Sequence, residues 1–173
     1  MNRIQIWDAL QHALVCLVAF VIGSSVTAFF NDTTAVTGGM WSAISGLLVL
    51  QTTTQATGQA GIQRILGSFI GAIVAVLYLV VLPFSPIGLA VTVAITYLVC
   101  QLLRIPQHGR IGAITATIIM VLAALNPELS PLTNASLRFV ESVIGTVIAL
   151  IAVLIIPNTS SRPPSVPPAP KQQ

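Results

Sequence analysis

Glu141 stands one helical turn after Arg138 inside the apolar stretch RFVESVIGTVIALIAVLIIP at 138–157, a setting in which ionisable side chains are costly and are paired or functional. Two chemistries fit. The two residues can form an i, i+3 ion pair that makes both charges tolerable near the outer membrane interface, or Glu141 can exchange a proton while Arg138 attracts an anion. Arg64 heads a related stretch, RILGSFIGAIVAVLYLVVLP at 64–83. The two arginines are therefore expected at the N-terminal ends of their helices, each adding a cation to a positive helix end that suits an anion. For Arg64 the other reading is a topology anchor on the cytoplasmic side.

Trp41, Ser42, Ser45, Gln51 and the run Thr52, Thr53, Thr54 place an aromatic ring and several hydrogen-bonding groups along one further segment. They can line an amphipathic path, or bond their own backbone and a neighbouring helix, as hydroxyl groups in membrane helices do. His12 and His108 fall near segment ends, where a solvated or interfacial ring is expected rather than a proton relay. Cys16 and Cys100 lie in apolar runs without metal-ligand spacing and read as two buried thiols. No metal or cofactor is expected, and the four acids are too scattered for an enzyme's acid, base and nucleophile. No basic patch is interleaved with aromatics, so nucleic acid is not an expected partner.

The elements that hold these residues must sit in lipid. The chain of 173 residues is 55% hydrophobic and 6% charged, with a mean hydropathy of +0.94, against roughly 25% charged residues in soluble domains. Apolar runs near 13–30, 36–53, 65–82, 86–103, 111–125 and 139–156 approach the roughly 17–25 residues that span a hydrocarbon core. Six transmembrane helices are predicted, with 111–125 the one most apt to be broken or re-entrant. Val26-Thr27-Ala28 resembles a signal-peptide cleavage site, but the apolar run continues through Phe29 and Phe30, so the segment is expected to stay as the first span.

The stretches at 64–83 and 138–157 align without a gap, matching Arg64 with Arg138, Ser68 with Ser142, Gly71 with Gly145, Ala75 with Ala149 and Pro83 with Pro157. The same offset pairs Gly38 with Gly112. The expected fold is all-α, a polytopic membrane protein of two three-helix repeats, one at about 9–83 and the other at about 84–157. Three spans per repeat is an odd number, so the copies are predicted to be inverted, the geometry of many transporters. Gly67, Gly71 and Ala75, with Gly145 and Ala149 in the second copy, lie four apart where close helix packing is expected. At position 67 the repeat breaks, because its counterpart is Glu141. A cytoplasmic N-terminus puts Arg3, Arg64, Arg104, Arg110, Arg162 and Lys171 inside and only Arg138 outside, a strong positive-inside bias. Both termini are then cytoplasmic, and residues 158–173, rich in proline and polar groups, read as a disordered tail.

The segment WSAISGLLVLQTTTQATGQAGIQRILGSFIGAIVA, with Trp41, Gln51 and its threonines, Arg64, Gly67 and Gly71, resembles the signature stretch of the fusaric acid resistance and aromatic acid exporter family. The closing pattern of Arg138, Glu141, Gly145 and Pro157 is similar to that family as well. The resemblance implies a six-helix bacterial inner-membrane module exporting small organic anions, aromatic carboxylates above all, in many relatives together with a periplasmic adaptor. Typical members add a cytosolic domain, and many duplicate the membrane module. For a chain of this size a homo-oligomer is expected to supply the missing interface. A non-transporting scaffold whose tail recruits a partner, and an anion channel, are the competing expectations.

Overall fold

The computed structural model describes residues 3–156, with side chains from Ile6 onward. Pro157, the proline-rich stretch 158–173 and its charges Arg162 and Lys171 lie outside the described residues. Six α-helices follow one another: α1 Arg3–Phe30, α2 Ala35–Val49, α3 Thr54–Val81, α4 Pro86–Leu102, α5 Gly109–Leu125 and α6 Pro131–Ile155. Short 3-10 turns at Asp32–Thr34 and Pro106–His108 precede α2 and α5.

Local chemistry sets the helix starts. The hydroxyl oxygen of Thr53 accepts a bond from the Ala56 N–H at 3.1 Å, that of Ser85 from Gly88 at 3.0 Å, and that of Ser130 from Thr133 at 3.2 Å. Each satisfies a donor that the first helical turn leaves free. Pro86 and Pro131 occupy the first helical positions, where a missing N–H costs nothing. Arg104 closes α4 with φ 60°, while the Ile105 N–H reaches back to the Cys100 carbonyl at 2.9 Å. That left-handed exit is the geometry glycine usually supplies.

By length and composition four segments can cross a membrane: Ile6–Phe30, Thr54–Val81, Pro106–Leu125 and Pro131–Ile155. The expectation that 111–125 is the irregular segment is corrected, since α5 runs unbroken from Gly109 to Leu125. The short helices are α2, with 15 residues, and α4, with 17. α2 stops at Val49 because the backbone turns extended at Leu50 and Thr53 already caps the next helix. Apolar sequence continues through Leu50, which is why hydropathy alone overshoots this end.

α3 and α6 pack against each other, α5 lies on α3, and α2 lies on α6; α1 covers α2 and touches α6, while α4 covers α5 and touches α3. Small residues make the crossings close. A Cβ at Gly71 would collide with the Gly112 carbonyl of α5, and one at Gly145 with the Ser42 carbonyl of α2. Ala75 joins a core of Ala72, Ala116, Ile119, Met120 and Ala135, and Ala149 joins a second core of Val15, Val49, Leu50 and Val153.

The polarity runs from the inside out. Leu77, Val80, Ile87, Leu102, Leu125 and Leu154 are exposed, whereas Gln11, Thr27, Ser45, Arg64, Ser68, Thr96, Asn134, Arg138 and Glu141 are buried. Water would penalise that surface, and hydrocarbon suits it. The chain is a multi-pass membrane protein whose polar groups face its own interior.

Candidate functional site

Because Thr53 and Ser130 start their helices early, Arg64 lies ten residues into α3 and Arg138 seven residues into α6. The expectation that both arginines mark helix N-termini, with Arg64 as a loop anchor, is thereby corrected. Each is only 3% exposed. Both line one small void between α2, α3, α5 and α6, together with Trp41, Thr115, Ile118 and Ser142. Its volume is about 10 Å³, close to the least space that holds one water.

Arg64 donates from Nε and Nη2 to the Ser45 hydroxyl of α2, at 3.2 and 2.8 Å. Among the described residues no carboxylate lies within ion-pair distance of it. Arg138 reaches Glu141, with Nη1 2.8 Å from Oε2. Those N–H bonds are not aligned on the oxygen, so the contact is ionic rather than a directed hydrogen bond. On its other oxygen Glu141 accepts the Thr27 hydroxyl of α1 at 2.9 Å. The carboxylate rests on Gly38 of α2, where a Cβ would stand 2.7 Å from Oε1. One acidic side chain of α6 therefore ties down α1 and α2. Glu141 itself is 1% exposed and lies ten residues into α6, well inside the helix rather than at its first turn.

Beside the void a chain of hydroxyls crosses from α5 to α6. Thr115 donates to Ser68 at 3.1 Å, and Ser68 to Ser142 at 3.4 Å. Among the described residues that line the void, three further donors have no hydrogen-bond partner: Arg64 Nη1, Arg138 Nε and the indole Nε1 of Trp41. Buried donors in folded proteins are almost always satisfied. Donors left free in this way suit an acceptor, and two guanidinium groups among them suit a negatively charged one.

Gln51 does not belong to this cluster. It is exposed in the α2–α3 connection, and its side-chain amide donates to the Leu48 carbonyl at 3.3 Å. Of the neighbouring threonines, Thr53 caps α3. Gly67 packs against Ile111 and the His108 carbonyl, so the position that carries Glu141 in α6 is a helix contact in α3. His108 is buried with both ring nitrogens unpartnered, against the expectation of a solvated ring, because the 3-10 turn folds it under the start of α5. His12 is exposed and bonds the Asp8 carbonyl at 2.7 Å. Cys100 is buried and Cys16 half-buried, both as free thiols.

Thr27 and Thr115 were not singled out by sequence, nor was Gln11, which is buried and donates to the Ala152 and Ile156 carbonyls of α6. The Gly38–Gly112 identity marked the layer in which Thr27 and Glu141 meet. The larger clefts beside Phe69, Ile73 and Leu77, one of about 550 Å³, are apolar and hold no charged group. They suit acyl chains rather than chemistry.

The family model described as fusaric acid resistance protein-like matches residues 14–152. No curated protein and no solved structure matches the chain.

Proposed function

Since the chain belongs to the fusaric acid resistance protein-like family, we propose that it is an inner-membrane transporter exporting small organic anions, aromatic carboxylates among them. The observation that carries this is the meeting of Arg64 and Arg138 at one interior void with spare donors. Charge buried in a membrane protein is expensive and persists where substrate or ions pass. Arg64, with no acid beside it, is the charge hardest to explain as scaffolding.

The reading includes six spans in two inverted repeats. What supports it is the pattern of packing. Under the 74-residue offset α1, α2 and α3 correspond to α4, α5 and α6, and α3 on α5 is then the counterpart of α6 on α2, while α1 on α2 is the counterpart of α4 on α5. Such internal symmetry gives two packings of similar energy, one open to each side. With Arg64 and Arg138 inside the bundle, the other five of the seven Lys and Arg fall at one end by sequence position, which favours cytoplasmic termini. A void of about 10 Å³ admits no aromatic acid, so this conformation is the closed one and transport requires α3 and α6 to part.

The proposal extends to proton coupling through Glu141, whose neutralisation would release Arg138, and to a homo-oligomer working with a periplasmic adaptor. The test is accumulation of radiolabelled aromatic and aliphatic carboxylates in inverted membrane vesicles, with and without a pH gradient. Saturable accumulation that disappears in Arg64→Gln supports export. Absence of accumulation from folded protein, for every carboxylate tried, defeats it. In Glu141→Gln the pH gradient should cease to drive accumulation, while exchange of labelled for unlabelled substrate continues.

A further inference from the structure

Among the described residues the bundle interior buries two guanidinium groups and one carboxylate, at Arg64, Arg138 and Glu141. Two positive charges against one negative leave a single positive charge to be met. Glu141 does not line the void; it lies behind Arg138, tied to Thr27 and pressed on Gly38. The Thr27 bond from α1 and the Gly38 contact from α2 hold it there. Arg138 is therefore shared, with Nη1 toward the carboxylate and Nε unpartnered.

From this placement we infer that Glu141, while ionised, restricts the site to ligands carrying one negative charge, as the counter-charge to Arg138; the inference rests on the export reading above. One carboxylate in the opened void finds Arg64 Nη1, Arg138 Nε and the Trp41 indole N–H, and brings the interior to neutrality. A second carboxylate has no cation left to meet. It would add an uncompensated negative charge near Glu141, in an interior where salt and water screen little. The group that breaks the repeat at position 141 is thus a specificity determinant.

The test compares two para-substituted benzoates of nearly equal shape, 4-carbamoylbenzoate with one charge and terephthalate with two. Each is followed by exchange of labelled for unlabelled compound in vesicles held at the same alkaline pH on both sides, which keeps Glu141 ionised and needs no driving gradient. Wild-type protein should exchange the monoanion at least about tenfold faster, the scale set by one misplaced charge. Glu141→Gln should shift the ratio toward terephthalate by about tenfold or more. The double variant Arg138→Gln/Glu141→Gln has the wild-type net charge and should regain the preference for the monoanion. Equal exchange of both compounds by wild type, or an unchanged ratio in Glu141→Gln, overturns the assignment while leaving export intact. If Glu141→Gln does not reach the membrane, the wild-type ratio and that of the double variant decide. Exchange of neither compound by folded wild type overturns the export reading and this inference with it.

Discussion

The hydroxyl oxygens of Ser68 and Ser142 lie 3.4 Å apart where α3 crosses α6, and the two residues are 74 positions apart in sequence. Under the 74-residue offset of the two matching stretches they are equivalent positions. A pseudo-two-fold axis relating the halves would pass between them. On the export reading, this crossing is the one proposed to loosen before anything larger than water reaches Arg64 and Arg138.

Joining the two positions should hold the protein shut. In a background with Cys16 and Cys100 replaced, Ser68→Cys/Ser142→Cys is expected to form a disulfide under mild oxidant, to stop anion accumulation, and to regain it on reduction. A crosslinked protein that still transports would show that α3 and α6 move as one body.

The two arginines should respond oppositely to removal. Arg64 has no carboxylate partner, so Arg64→Met should abolish transport yet raise stability in detergent, because it removes a buried charge that nothing compensates. Arg138→Met leaves Glu141 buried and unpaired, and should lower stability by about 3–5 kcal/mol. Adding Glu141→Gln should recover most of that loss. Thermal unfolding of the three variants, read beside uptake, checks the set.

Close packing and open helix surface are distinguishable with alanine. At Gly71 the added methyl meets the Gly112 backbone, which cannot give way, so Gly71→Ala should cost about 1–3 kcal/mol. Gly58, in the same helix, has nothing within 4 Å of a built Cβ. There alanine should be neutral or stabilise by about 0.5–1 kcal/mol. Equal effects at the two sites would mean that α3 does not seat on α5 as described.

Sidedness can be read with a membrane-impermeant thiol reagent. The α1–α2 and α5–α6 connections lie together, Asn31, Thr33 and Thr34 sharing a cleft with Asn126 and Glu128. In the cysteine-free background, cysteines at Thr33 and Glu128 should react from outside intact cells. Cysteines at Gln51 and Gln107 should react only after the cells are opened. Any crossover between the two groups rules out six spans with cytoplasmic termini.

Sequence carried the central pair of helices further than their ends. Arg, Gly and Ser at matched positions in 64–83 and 138–157 marked the faces on which α3 and α6 meet their neighbours. Hydropathy then misplaced the starts, since residues 54–63 (TQATGQAGIQ) read as polar connection although Thr53 caps a helix there and a Cβ at Gly61 would stand 3.0 Å from Thr146. That error moved Arg64 from the interior to a helix end. Thr27 was hidden for a related reason: it sits in a run of small residues that resembles a cleavage site, and its partner is 114 residues away. Gln51 was over-read because helix and apolar run part company at Val49. Hydropathy records what faces lipid, and a polar interior has to be found by other means.

The narrowness of the void around Arg64 and Arg138 has an electrical meaning. A void of about 10 Å³ has no room for an ion with its hydration shell, and two guanidinium charges beside it disfavour cations. On the export reading the closed chain should be an insulator, so that a cell can fill its membrane with it and keep its membrane potential. Purified protein in a planar bilayer should accordingly carry no current without an organic anion, and a standing conductance there would mark an open pore instead.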